Sequence, residues 1–337
     1  MMVVCQDWRE AGADEVASLI AAEAGLWKSE LSWDVSRSWR VIDPARAAGV
    51  LPGFIARGDD GRVLGWTWFL EQEGSLQIAA LVAQHAPVVR ALLACILDSP
   101  EAQRSTAHVL SVRGVPAGLV SALGAREFST ARYLYLSAPL DRRAAGLPGR
   151  PWREAGLAGR PWREAGLAGR PWRSIDVPAV ATLFERAYGE TGRVRAFAPH
   201  GSSSEWCDYV LSLLAADGCG EFLPGASAIV DGPDGTAQAA IVTTAIAADV
   251  AHLAQIVVDP DQQGAGCGRA LLDGAMAAAA GEGFRQMTLL VAEDSDAARA
   301  LYARAGFRQQ STFLIASSQP RRLNNVALVG GGASTRR

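Results

Sequence analysis

Two stretches of the chain share one alternation of apolar and polar positions. FIARGDDGRVLGWTWFL (54–70) and ASAIVDGPDGTAQAAIVTT (226–244) each run from an apolar segment through an aspartate-glycine turn to a second apolar segment. The turns are Asp60-Gly61 and Asp234-Gly235, so both stretches predict β-hairpins. Each follows Leu-Pro-Gly, at 51–53 and at 223–225. Upstream, both halves open with a short strand and an amphipathic helix, Asp14–Leu26 and Val177–Tyr188. Downstream, ALGAREFSTARYLYLS (122–137) echoes ARAGFRQQSTFLIAS (303–317). The pattern predicts a duplicated α/β (α+β) unit, each copy a mixed, mostly antiparallel sheet flanked by helices. Between the copies PWREAGLAGR occurs at 151–160 and again at 161–170, too short a unit for a solenoid. The expected organisation is a first domain over 1–140, a repeat-containing linker over 141–169, a second domain over 170–317 and a flexible tail over 318–337.

The chemistry concentrates between 249 and 308. An apolar strand, Leu253–Val258, ends at Asp259-Pro260, because proline donates nothing to a ladder. Leu271, Leu272, Ala275, Met276 and Ala279 then recur at helical spacing, predicting a helix from about Cys267 to Gly281–Gly283. Gly264, Gly266 and Gly268 lead into its first turn. Without side chains there, backbone N–H groups can converge on one concavity, where the positive end of the helix dipole favours phosphate oxygens. Arg269 can add a charged fork. A second strand follows at Gln286–Ala292. Asp294 or Ser295 can then cap a short helix that runs through Arg304 and stops at Gly306. Tyr302 lies in its last turn. Two cofactor classes compete for the glycine turn. A dinucleotide-binding turn asks for GxGxxG directly on the strand, but the spacer Asp259–Gln263 is long and the third glycine comes one residue early.

The other class rests on a resemblance. IVVDPDQQGAGCGRALL followed by SDAARALYARAGF resembles the GNAT superfamily of acyl-CoA-dependent N-acyltransferases. The family's phosphate loop, Q/R-x-x-G-x-G/A, is matched by Gln263, Gly264, Ala265, Gly266, Cys267 and Gly268. Its pantetheine-pairing strand is matched by Ile256, Val257 and Val258. The later signature is met by Ala298, Leu301, Tyr302, Gly306 and Phe307, while Ser295 stands where the family has asparagine. The resemblance implies acetyl-CoA as co-substrate, a polar contact to its arm that Ser295 supplies more weakly than the family's asparagine, and Tyr302 as proton donor to the departing thiolate. It covers about 173–317 closely and 1–140 only in outline, as a tandem arrangement like that of mycothiol synthases. The first copy reads SLQIAALVAQHAPVVRALLACIL, with no glycine between Ile78 and Leu97, and is expected to be degenerate and without a coenzyme A site.

An alkylamine of pKa about 10.4 must lose a proton before it attacks, which calls for a base or a desolvating pocket. His252, in phase with Ala254 and Ile256, is the candidate base, and Asp249 a weaker one. Glu205 and Asp208 could hold a cationic amine, with Trp206 and Tyr209 packing on it. All four lie in RVRAFAPHGSSSEWCDY (193–209), where the family often lines the acceptor.

Composition narrows the rest. The chain has 337 residues and net charge −3, with 49% apolar and 20% charged residues. That balance speaks against disorder and against a nucleic-acid field. Lys28 is the only lysine, so nearly all positive charge is arginine. Five scattered cysteines without a CxxC pair, and four histidines without metal spacing, predict no metal site and a reducing, cytoplasmic setting. The start has no secretory pattern and no apolar run reaches membrane length. The expected function is an N-acetyltransferase that moves an acetyl group to a small-molecule or peptide amine by direct attack. Partners would include neither nucleic acid nor membrane, and the protein would be a monomer or homodimer. The rival readings are a non-catalytic acyl-CoA-binding module and a nicotinamide-dependent oxidoreductase.

Overall fold

The computed structural model describes residues 2–72, 74–140, 169–188, 197–215 and 219–318. The first half supplies β1 (Val4–Asp7), α1 (Ala13–Leu31), α2 (Ser36–Ala47), β2 (Gly53–Arg57), β3 (Val63–Gln72), β4 (Ser75–Ala83), α3 (Ala86–Leu97), α4 (Pro100–Arg104), β5 (Ala107–Arg113), α5 (Leu119–Gly124) and β6 (Phe128–Pro139). The second supplies β7 (Gly169–Arg170), α6 (Val177–Tyr188), α7 (Ser203–Leu214), β8 (Glu221–Phe222), β9 (Ala228–Asp231), β10 (Ala237–Ala247), β11 (Val250–Val258), α8 (Cys267–Gly281), β12 (Gln286–Ala292), α9 (Asp296–Arg304) and β13 (Arg308–Ser318). Both hairpins form where the aspartate-glycine turns place them, with Gly61 and Gly235 at φ +77° and +80°.

The halves do not keep separate sheets. All strands of the described residues join one 13-stranded sheet in the order β1-β2-β3-β4-β5-β13-β6-β12-β11-β10-β9-β7, with β8 on β10. The last strand of each half crosses to the other. β6 pairs with β12 (Leu136 opposite Leu289), and β13 pairs with β5 (Leu314 opposite Val112) as well as with β6. Only β4–β5 and β11–β12 run parallel among the ladders of the described residues. The exchange satisfies the long edges of β5, β6, β12 and β13 against one another.

One face of the second half is covered by α8, whose Leu271, Leu272 and Ala275 pack on Ile241, Leu253, Met287 and Leu289. The other face is covered by α6 and α7, through Val180, Phe184, Trp206 and Val210 against Ile229, Val242 and Val257. Between the halves lies an aromatic junction of Leu31, Tyr135 and Phe313 with Trp27 and Trp33. That junction explains why α1 continues to Leu31 rather than stopping near Leu26. Trp27 meets the Phe313 ring at 5.9 Å and Leu31 is fully buried, so the last turn is held by packing its own sequence does not reveal. Ser32 then leaves the helix in the left-handed region, φ +56°. β11 likewise starts at Val250, earlier than Leu253, because β12 pairs with it from there. The expected linker, apart from Gly169, and the expected tail, apart from Ser318, lie outside the described residues.

Candidate active site

Parallel pairing between β11 and β12 stops at Leu253 opposite Leu289. Beyond it the two strands part, and β11 continues to Val258 on β10 alone. A bulge falls at Ala254, since Val242 faces Gln255 while Thr243 faces Leu253. Bulges re-aim side chains. Here Ala254 and Val257 join the α6–α7 face, while Ile256 and Val258 pack toward α8. The wedge presents a β11 edge with backbone groups that an extended arm can pair with.

The glycine turn stands at the end of β11. Gly264 and Gly266 have φ of +83° and +84°, and a Cβ at either would meet nothing within 4 Å. These are positions whose backbone favours glycine and whose surroundings are open. Gln263, Ala265 and both glycines are exposed, and Gln263 Nε2 donates to the Val258 carbonyl at 3.3 Å. Gly266 is the N-cap of α8, so the helix's first N–H groups open onto this turn. Gly268 differs: a Cβ there would make ordinary contacts with Val258 and Leu301 at 3.7 and 3.8 Å. Cys267 is buried, which pushes its thiol up to about 11, so it is an inert packing residue. Arg269 is exposed and pairs along its own helix with Asp273 at 2.7 Å. Its place in the first turn of the helix aimed it at the glycine turn; the structure turns it toward Asp273. Ser295 is the N-cap residue of α9, without a side-chain capping bond. In the first half the matching helix, α3, opens with Pro87 in its first turn, which removes one N–H donor.

Tyr302 is 5% exposed and rests edge-on against Phe307 at 5.8 Å. Burial, with a smaller contribution from the Tyr188 phenol, pushes its pKa up, so it holds its proton at neutral pH. Tyr302 packs on the α8 side of the sheet and Tyr188 on the α6 side. Beside them Tyr188 donates to Gln255 Oε1 at 3.2 Å and to the Ile256 carbonyl at 3.4 Å, and Gln255 Nε2 donates to the Tyr209 oxygen at 2.6 Å. Burial raises the Tyr209 phenol well above its usual value and pushes Cys219 up to about 11. Sequence reasoning missed Tyr188 and Gln255. The available signal was Gln255 itself, a polar residue that breaks the alternation of an apolar strand.

Several expected roles change. His252 is 3% exposed, with its ring 5.0 Å from Trp33 and stacked on Tyr135 at 6.3 Å, and its Nδ1 is bonded to Thr288 Oγ1 at 2.9 Å. Burial lowers its pKa to about 3. It stays neutral, and its affinity for a proton is too low for it to serve as base to an amine. Asp249 is exposed at the β10–β11 turn, at the far end of the strand from the wedge. Glu205 is buried and occupied: it accepts from the His200 and Ser202 N–H groups at 3.0 and 3.1 Å and from His200 Nδ1 at 2.6 Å. Its carboxylate closes the capping box of α7 rather than waiting for a cation. Trp206 is core, in mutual contact with Phe184 and Tyr188 at 6.0 and 6.1 Å. Tyr209 does reach the wedge through Gln255. Residues 193–196 lie outside the described residues. Among the described residues no group of three or more His, Cys, Asp or Glu could hold a metal ion, and no helix is long and apolar enough to cross a membrane.

Comparison with known proteins adds to this geometry. Residues 184–307 match the family model described as Acetyltransferase (GNAT) family. Over 54 residues the chain is 48% identical to a mycothiol acetyltransferase of Geodermatophilus obscurus, a stretch covering 16% of this chain and 18% of that protein. The fold is similar to that of a GCN5-related N-acetyltransferase from Sphaerobacter thermophilus, with TM-score 0.61 and 15% identity, covering 95% of this chain and 96% of that one. It is also similar to a GCN5-related glucosamine N-acetyltransferase region of a fungal multi-domain protein, with TM-score 0.58 and 11% identity, over 94% of this chain and 38% of that one. At those identities the structural likeness speaks for the fold alone. The wedge, the glycine turn at the head of α8 and the family match coincide on one stretch of chain, and residues 184–307 are accordingly a GNAT-family acetyltransferase domain.

Proposed function

We propose that the protein transfers an acetyl group from acetyl-CoA to the primary amine of a small molecule or peptide, without an acyl-enzyme. The observation that supports this reading is that β11, unpaired with β12 beyond Leu253, runs into the Gly264–Gly266 turn, and that the head of α8 lies beside Val258 and Leu301, the neighbour of the buried Tyr302, since a Cβ at Gly268 would meet them at 3.7 and 3.8 Å. The N–H groups around Gln263–Gly268 would take the pyrophosphate oxygens, and Arg269 would swing from Asp273 to add charge. Ile256, Val257 and Val258 would pair through their backbone with the pantetheine arm, and Ser295 would contribute a hydroxyl contact.

The amine nitrogen attacks the thioester carbonyl carbon, so a C–N bond forms and the C–S bond breaks. Holding both reactants in line accounts for much of the acceleration. A backbone N–H on the open edge of β11 would donate to the carbonyl oxygen as charge develops. Tyr302, still protonated at neutral pH, gives its proton to the sulfur, and the nitrogen's surplus proton restores the phenol. The net change is one proton from nitrogen to sulfur. With His252 buried and neutral, the amine would enter in its uncharged form, having left its proton with solvent, and the desolvating wall of Tyr188, Gln255 and Tyr209 would favour that form.

Calorimetric titration with acetyl-CoA tests the first half of this reading, and a panel of primary amines followed by release of free coenzyme A thiol tests the second. Binding followed by amine-dependent thiol release is expected. Absence of heat overturns the reading. Binding without thiol release from any amine turns it into a coenzyme A-binding module.

A further inference from the structure

Three side chains separated by almost a hundred residues meet between the halves. His200 Nδ1 lies 2.6 Å from Glu205 Oε1, and its Nε2 lies 2.7 Å from the hydroxyl oxygen of Thr106. Thr106 belongs to the first half and immediately precedes β5, where its N–H donates to the Gly74 carbonyl at 2.8 Å. Its hydroxyl also reaches that carbonyl, at 3.2 Å. Glu205 and His200 belong to the second half, at the entry to α7. A carboxylate, an imidazole and a hydroxyl in series also suit an activated nucleophile. Here the hydroxyl has a competing acceptor in Gly74, and the series bridges two halves of one sheet, which is the geometry of a tie.

The tie tolerates either protonation state. With one ring proton, on Nδ1, the ring donates to Glu205 and accepts from the Thr106 hydroxyl. With two, Nε2 donates to the Thr106 oxygen and the hydroxyl rotates to Gly74. Both contacts survive, because a hydroxyl is donor and acceptor at once.

What the tie holds is the acceptor side of the wedge. Phe197, three residues before His200, stacks on Tyr209 at 4.6 Å, and Tyr209 is the phenol held by Gln255. Trp206, directly after Glu205, stacks on Tyr188. Phe197 is 41% exposed, so its own burial does not fix it. The segment from Phe197 to Ser202 is anchored at one end by this stack and at the other by Glu205.

We propose that Thr106, through His200, is a positioning residue of the acceptor site, so that the first half of the chain sets the placement of the Phe197–Tyr209 wall without touching coenzyme A. The proposal rests on the acetyltransferase reading for its functional consequence, and its structural part is measured independently of it. In the full-length protein, Thr106→Val removes the hydroxyl at nearly constant volume and Thr106→Ser keeps it. Hydrogen exchange over 197–214 should rise roughly three- to tenfold in Thr106→Val, as fits one partly exposed hydrogen bond. Exchange over 263–281 should stay unchanged, and Thr106→Ser should behave as wild type. With the amine that the panel yields, KM for the amine should rise by a similar factor, while KM for acetyl-CoA holds and Thr106→Ser restores it. Unchanged exchange over 197–214 overturns the tie. So does a rise shared equally by 263–281, which would mean general loosening. Changed exchange with an unchanged KM for the amine overturns the positioning role. A missing acetyl-CoA heat in wild type overturns the acetyltransferase reading and with it the positioning role, leaving the exchange result to judge the tie.

Discussion

The imidazole of His252, on the second half's β11, lies 5.0 Å from the indole of Trp33, which the first half supplies from the end of α1. A residue on the strand of the proposed reaction site is thus packed against the other half of the molecule. Tyr135, from the exchanged strand β6, also stacks on the imidazole at 6.3 Å, lies 6.5 Å from Trp33, and donates its own hydroxyl to the Leu31 carbonyl at 2.8 Å. The histidine is neutral because burial, at 3% exposure, disfavours its charged form.

That burial makes stability depend on pH with a definite sign. The folded-state value, about 3, lies below the unfolded value of 6.5. The contribution is therefore fully present above about pH 6.5 and is lost as pH falls toward 3, because only the unfolded chain binds the proton in that window. The slope is about 1.4 kcal/mol per pH unit, so between pH 6.5 and 5 the loss is roughly 2 kcal/mol. His252→Phe keeps an aromatic ring and removes the titration. Urea unfolding at pH 7 and pH 5 should show a smaller difference for the variant than for wild type. The same variant should retain acyl transfer, since the ring takes no proton during the reaction.

Tyr302→Phe keeps the packing on Phe307 and removes one proton. The rate of acetyl transfer is expected to fall by about a hundredfold or more, the usual scale for loss of a general acid. Acetyl-CoA affinity, read by calorimetry, should change little. Equal losses of affinity and rate would mean that the phenol holds the cofactor arm instead of protonating sulfur.

Gly266→Val places a β-branched residue at φ +84°, a backbone region such side chains avoid at a cost of roughly 1–3 kcal/mol. It also fills the open space over the first turn of α8. Acetyl-CoA affinity should drop at least tenfold. Gly268→Ala is the control, because its Cβ would find only ordinary contacts at 3.7 and 3.8 Å. That variant should bind nearly as wild type, and the contrast between the two separates the phosphate turn from general damage to the helix start.

Gln255→Leu leaves the Tyr188 and Tyr209 phenols without the amide that joins them. Loss of buried hydrogen bonds of this kind costs about 1–3 kcal/mol. Thermal unfolding should shift down, and KM for the amine should rise more than KM for acetyl-CoA.

The exchange of β6 and β13 predicts that neither half stands alone. A chain starting at residue 170 would present β12 and β13 with the long partner β6 missing from between them. Unpaired long strands recruit other chains. Size-exclusion chromatography of that fragment should show aggregate or oligomer, and adding residues 1–140 in trans should shift it toward a one-to-one complex. A monodisperse, folded fragment would contradict this.

The linear sequence carried what local rules control. The aspartate-glycine turns placed both hairpins, the 3.6-residue recurrence of Leu271, Leu272 and Ala275 fixed α8, and Gly264 and Gly266 marked the turn before it. Each of these depends on backbone freedom or periodicity within a few residues. What the sequence could not decide was partnership across distance. Nothing near His252 announces that Trp33 and Tyr135 will close over it, and its place on the motif strand suggested a base until burial made it neutral. Glu205 read as a free carboxylate, though its bond to His200 and the capping box of α7 consume it. The strand exchange was hidden for the same reason: β6 and β13 carry short apolar runs, Tyr133–Leu136 and Phe313–Ala316, that would suit any buried strand, and which strand lies beside which is settled by packing two halves together. Chain-local periodicity thus determined the elements and the glycine turn, while burial and long-range pairing, which exist only once the chain is folded, decided the charge state and the bonding partners of the residues around them.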